Sequence, residues 1–146
     1  MNWLYLGIAA ISGAAMALQG SLNAALAKAL GIWTSTLIVH IIGLATVLAI
    51  IIIASIGFSS FTKLGTVPWY VYLGGFLNVL IIYAVMRSIP EIGVGNATTA
   101  IIVAQISTAV LIDHLGAFGL KKYEFQYWDI LGIALLAIGA RILLME

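Results

Sequence analysis

The sequence predicts an all-α integral membrane protein with five transmembrane helices per chain. Three observations carry that prediction. Hydrophobic residues fill 64% of the 146 positions and charged residues only 8%, whereas a soluble domain keeps about 25% charged to wet its surface. Mean hydropathy is +1.20. The apolar residues also fall into five windows, each near the roughly 20 helical residues that cross a bilayer core about 30 Å thick. A soluble fold would give each helix a polar face, and stretches such as the wholly apolar run Val47 to Ala54 offer none.

Taken in order, the first window covers residues 3–27 and is closed by Lys28 and Gly31. Its opening resembles a signal peptide in hydrophobicity, but it lacks a basic leading region and runs into further spans, so it reads as a span itself. The second covers 33–57. Residues 58–67 are polar and contain glycine, and Pro68 then sits where a helix tolerates proline, at the first turn, opening a third span over 68–86 that Arg87 closes. Pro90 breaks the chain before a fourth span over 93–112, ended by Asp113 and His114. The longest loop, 115–126, leads to the shortest span, 128–144. The expectation is a single domain over 1–146.

An odd number of spans puts the termini on opposite sides, so basic residues can be sorted by side. Lys63, Lys121 and Lys122 fall on one, Lys28, Arg87 and Arg141 on the other. Lysine and arginine bias fixes orientation, and three against three gives none. Dual topology is the expectation, with oppositely inserted copies pairing as an antiparallel homodimer, a ten-helix inverted-repeat bundle. The alternative is a weakly biased single orientation. Trp3, Tyr5, Trp69, Tyr70, Tyr72, Tyr127 and Trp128 gather on one side, with Trp33 on the other, as interfacial anchors.

Small residues at Gly13, Ala17, Gly20 and Ala24 recur at spacings of four, three and four, which makes a helix-packing stripe. Beside it lie Gln19 and Asn23. Two primary amides have no partner in hydrocarbon, so they either bond across helices or line a polar pathway. The fourth span is the most polar, with Asn96, Thr98, Thr99, Gln105, Ser107 and Thr108. Thr98, Gln105 and either Thr108 or Ile112 recur at near-heptad spacing, so one face can line a cavity while Ile101, Ile102, Val110 and Leu111 meet lipid or packed neighbours. Asn78, after Gly74 and Gly75, is the remaining polar group of note. Asp113 and His114 at a membrane end read either as anchors or as a proton or cation relay, and His40, inside the second span, either as a structural histidine or as part of that relay. Glu91 and Arg87 are suited to pair across a short turn. No span carries a central carboxylate, which disfavours deep carboxylate coupling.

Several function classes drop out. The absence of cysteine removes thiol catalysis, disulfides and thiolate metal sites, and two histidines are a poor basis for a metal centre. A net charge of +1, with no basic run beyond Lys121 and Lys122, leaves no footprint for nucleic acid or for polybasic lipid anchoring. No serine, histidine and carboxylate fall together at one depth, and there is no phosphate-cradling glycine loop, so the chain is expected not to be an enzyme and to need no cofactor.

Leu18-Gln19-Gly20-Ser21-Leu22-Asn23, Leu30-Gly31, Gln105 and Leu111-Ile112-Asp113-His114-Leu115-Gly116 together resemble the YdcZ-like family of the drug/metabolite transporter superfamily, over nearly the whole chain. Pro90, Gly93, Gly132 and Gly139 also fit. Ala104 stands where a glycine usually precedes the glutamine, Leu115 replaces a common phenylalanine, and His40 occupies a normally aromatic position. The resemblance implies a multi-pass protein of the bacterial inner membrane, half of a ten-span small-molecule exporter, in a superfamily whose members export amines, amino acids, nucleotide-like metabolites or lipophilic cations. The reading is a secondary transporter working by alternating access in an antiparallel dimer. Its pathway is expected to be lined by Gln19, Asn23, Asn78, Asn96 and Gln105; a passive channel or a lipid or ion pathway is the alternative.

Overall fold

A computed structural model describes residues 3–124 and 126–143. Among these residues five α-helices follow one another: α1 (Trp3–Leu30), α2 (Ile32–Ile53), α3 (Leu73–Ile92), α4 (Val94–Leu115) and α5 (Tyr127–Leu143). Short 3-10 helices occupy Phe58–Thr66, Trp69–Tyr72 and Ala117–Gly119. There is no strand among the described residues. Among the described residues, four helical stretches are long and apolar enough to cross a membrane: Trp3–Leu30, Ile32–Ile53, Trp69–Ile92 and Val94–Leu115. α5 has 17 described residues, about 26 Å of helix at 1.5 Å per residue. The expected last residue of its span, Leu144, lies outside the described residues.

The elements differ from the expected windows at their ends, each for a local reason. α1 runs through Lys28, because a cation in the last turn suits the helix dipole. It stops only at Gly31, whose φ of 80° and ψ of 155° suit glycine alone. α2 ends at Ile53, four residues before the expected boundary at Gly57. Ser55 takes the left-handed conformation there (φ 52°). Ser55 N–H donates to the Ile52 carbonyl (3.1 Å) and Ile56 N–H to the Ile51 carbonyl (2.9 Å), the paired bonds of a Schellman end.

The polar segment after α2 is helical of the 3-10 kind, and so is the start of the third span. Pro68 therefore opens a 3-10 turn, with the α-helix proper beginning at Leu73. α3 also passes Arg87 and includes Pro90 in its final turn. It survives only to Ile92, since proline removes one N–H and crowds the carbonyl four residues back. α4 runs on through Asp113 and His114 to Leu115, where Gly116 (φ 58°) caps it. Before α5, Gln126 N–H donates to Asp129 Oδ2 (2.8 Å), the backward half of a capping box.

The chain divides into two compact units, Met1–Pro90 and Glu91–Glu146. In the first, a small core joins Ala27 of α1 to Ile82 and Met86 of α3, with Ile32 and Val39 of α2 packed against it. The residues of the expected stripe on α1 differ in burial along its length. Gly20 and Ala24 are buried, Ala17 is half-buried, and Gly13 is exposed. A Cβ at Gly20 would lie 3.1 Å from both Ile89 Cδ1 and Val85 Cγ1, so the absent side chain lets α3 approach. In the second unit α4 packs on α5, burying Ala97 and Ala140.

Candidate functional site

The polar groups that α2 and α3 bring together form the best-defined cluster. Three hydroxyl residues, Thr34 to Thr36, open α2 one turn before His40. Thr36 is buried, and its hydroxyl donates to the Ile32 carbonyl (2.8 Å) while lying 3.7 Å from Met86 Sδ. One proton cannot serve both, and the short bond to the carbonyl claims it. His40 Nδ1 lies 2.7 Å from the Thr36 carbonyl. A carbonyl only accepts, so Nδ1 carries the proton. Nε2 of the neutral ring then has a free lone pair, and Asn78 Nδ2 of α3 donates to it over 3.1 Å. Trp33 stacks on Tyr83 at 5.0 Å between centroids, closing the same helix pair nearer its other end.

Ser35 adds an orphan. It is fully buried, and its hydroxyl has no hydrogen-bond partner among the described residues. The other hydroxyls of these helices that bond do so to the carbonyl four residues back: Ser21 to Ala17, Thr46 to Ile42, Thr99 to Gly95, Ser107 to Val103 and Thr108 to Ala104. Those bonds also change the reading of α4. Thr99, Ser107 and Thr108 satisfy their polar atoms within the helix, so their number alone does not require a wet face.

The amides separate by unit. Gln19, Asn23 and Asn78 lie in Met1–Pro90, and Asn96 and Gln105 in Glu91–Glu146. Asn23 is buried beside the α1 stripe, and Asn96 is half-buried on the side of α4 that carries Thr99 and Val103. Gln19 and Gln105 are exposed, and their side-chain amides make no hydrogen bond among the described residues. Asp113 and His114 stand at the end of α4 in a cleft of about 290 Å³ that also takes in Tyr123, Glu124, Gln126 and Asp129. The chain is held there by a bond from Tyr123 N–H to the Asp113 carbonyl (2.9 Å). A second cleft, about 440 Å³ and almost wholly apolar, lies between α4 and α5 over Gly139 and Ala140. No three histidines or carboxylates form a metal-binding group among the described residues.

With this layout in view, comparison decides the family. Residues 4–142 match the model of the family described as "Putative inner membrane exporter, YdcZ". The chain belongs to the YdcZ family. Neither a curated protein nor a solved structure matches it. As a YdcZ-family member with four helices of spanning length and composition, it is a multi-pass inner-membrane protein of an exporter family. In this YdcZ chain the aspartate and histidine that carry the family resemblance share one cleft at the end of α4, and its unusual His40 is bonded to Asn78. From sequence alone His40 and Asn78 stand out separately, whereas Ser35 and Thr36 emerge only in the structure. The signal was present in three successive hydroxyls four to six residues before a histidine.

Proposed function

We propose that this YdcZ-family chain is a secondary transporter rather than an enzyme, with five spans per copy. In this reading two copies inserted in opposite orientations pair and export a small amine, cation or metabolite by alternating access. The observation that carries it is the exposure of Gln19 on α1 and Gln105 on α4, whose side-chain amides make no hydrogen bond among the described residues. A primary amide facing acyl chains forfeits its hydrogen bonds, so both are best satisfied by a second copy or by a polar path between copies. The three-against-three division of basic residues supports opposite insertion, and inversion makes the inward-open and outward-open forms one structure seen from two sides. Asn23, Asn78 and Asn96 add polarity to such a path, and Asp113 with His114 suits its mouth.

Proteoliposome flux tests this, with tetraphenylphosphonium and a panel of primary amines as probes. Uptake that saturates and shows counterflow is expected. Uptake linear in concentration would replace the carrier with a channel. Gln19→Ala and Gln105→Ala should each cut flux about tenfold, the equivalent of one lost polar contact of about 1.4 kcal/mol, while folding normally. Unchanged flux in both variants removes them from the path.

A further inference from the structure

We propose that the 3-10 helix Phe58–Thr66 is an in-plane membrane element, seated on the boundary between acyl chains and head groups in the leaflet where α2 ends. A 3-10 helix has three residues per turn, so positions three apart eclipse one another. Phe58, Phe61 and Leu64 therefore form one apolar edge, Ser60, Lys63 and Thr66 a second, and Ser59, Thr62 and Gly65 a third. By composition, and at the usual periods of 3.6 or 2, the segment reads as polar. At period three it is sharply amphipathic.

The helix is also reinforced. At nine residues it exceeds the three or four that 3-10 runs usually reach. Thr62 and Thr66 hydroxyls donate to the carbonyls of Ser59 (2.7 Å) and Lys63 (2.8 Å). Tyr72 Oη donates to the Leu64 carbonyl (2.6 Å), which ties this helix to the start of the next span. The Phe58 and Phe61 rings lie 5.5 Å apart, side by side along the edge.

None of its nine residues is buried, and Phe58, Phe61 and Leu64 are 54%, 58% and 50% exposed. What covers that edge follows from its neighbours. The spanning helix α2 stops at Ile53, and the next stretch of spanning character opens at Trp69. Both ends of the segment are thus fixed at one membrane surface, and the nearest apolar medium is the bilayer itself. Trp69 and Tyr70 follow at once, as residues that prefer the interface. Lys63, one position off the apolar edge, has the reach to hold its ammonium among lipid phosphates.

The chain has no cysteine, so single cysteines at positions 58 to 66, spin-labelled one at a time in phosphatidylcholine and phosphatidylglycerol liposomes, report this region alone. Each label replaces one anchor and leaves the others. Collision with oxygen should peak at 58, 61 and 64 with collision with an aqueous nickel chelate lost there, and the pattern should reverse at 60, 63 and 66. Equal access of the chelate to all nine positions overturns the proposal in favour of a hydrated loop. Shielding of 58, 61 and 64 from both reagents overturns it in favour of a protein cover, such as a second copy.

Discussion

At the residue scale, His40 and Asn78, two residues of different helices, meet in a polar contact of 3.1 Å. With Nδ1–H committed to the Thr36 carbonyl, the imidazole acts as an acceptor clasped by an amide, joining α2 to α3. Interhelical bonds of this kind average about 0.6 kcal/mol and reach about 1.7 in membrane proteins. His40→Phe and Asn78→Ala, singly and together, should show a coupling of that size in reversible unfolding from lipid or detergent. Strict additivity would mean the two side chains do not hold each other. The sequence placed both residues in spans but could not pair them, because 38 residues of chain separate them and only the packing of α2 on α3 sets their distance. Gly20 shows the opposite case. Its place in a stripe of small residues was legible from spacing alone, and the structure supplies the neighbours, Val85 and Ile89. Gly20→Ala should cost little, since both neighbours are side-chain ends that can shift, whereas Gly20→Leu should destabilise by about 1–3 kcal/mol through overpacking, read as a lower Tm.

At the element scale, two junctions share one design. α1 and α2 are separated by Gly31 alone (φ 80°, ψ 155°), and α3 and α4 by Gly93 alone (φ 82°, ψ 161°). Both lie in a region that a Cβ makes costly, and at neither would a Cβ meet any atom within 4 Å, so the demand for glycine comes from the backbone and not from crowding. Gly31→Ala and Gly93→Ala should therefore each lower stability by about 1–3 kcal/mol. Gly43, in equally open space but inside α2, should behave in reverse, with alanine gaining up to about 1 kcal/mol. Equal thermal shifts for all three variants would contradict the backbone account. Periodicity and length made the helices legible, because long apolar stretches need nothing beyond the membrane to specify them. Their ends were less so. Pro68 and Gly57 carried the expected punctuation, while the chain turned at Ser55 and formed 3-10 structure up to Tyr72. Competition between hydroxyl side chains and backbone N–H groups for the same carbonyls decides such segments, and it leaves no periodic trace at 3.6 or 2.

At the scale of the whole molecule, the proposed antiparallel pairing turns on how the basic residues divide across the membrane when the chain spans it five times. Removing Lys121 and Lys122 turns three against three into one against three, and the Lys28→Ala, Leu120→Lys pair turns it into four against two the other way. Neither change should disturb the fold. Lys122→Ala keeps the Cβ that packs 3.0 Å from where a Gly116 Cβ would lie, and Lys121, Lys28 and Leu120 are exposed. Each variant should insert in one orientation, with a C-terminal reporter on opposite sides of the membrane in the two cases. If the working unit is an antiparallel pair, either variant expressed alone supplies only one orientation and should lose flux, whereas co-expression supplies both and should restore it. Full flux from a single locked variant would make the working unit a parallel assembly or a lone copy. The exposed amides at Gln19 and Gln105 would then have to find their partners within one orientation.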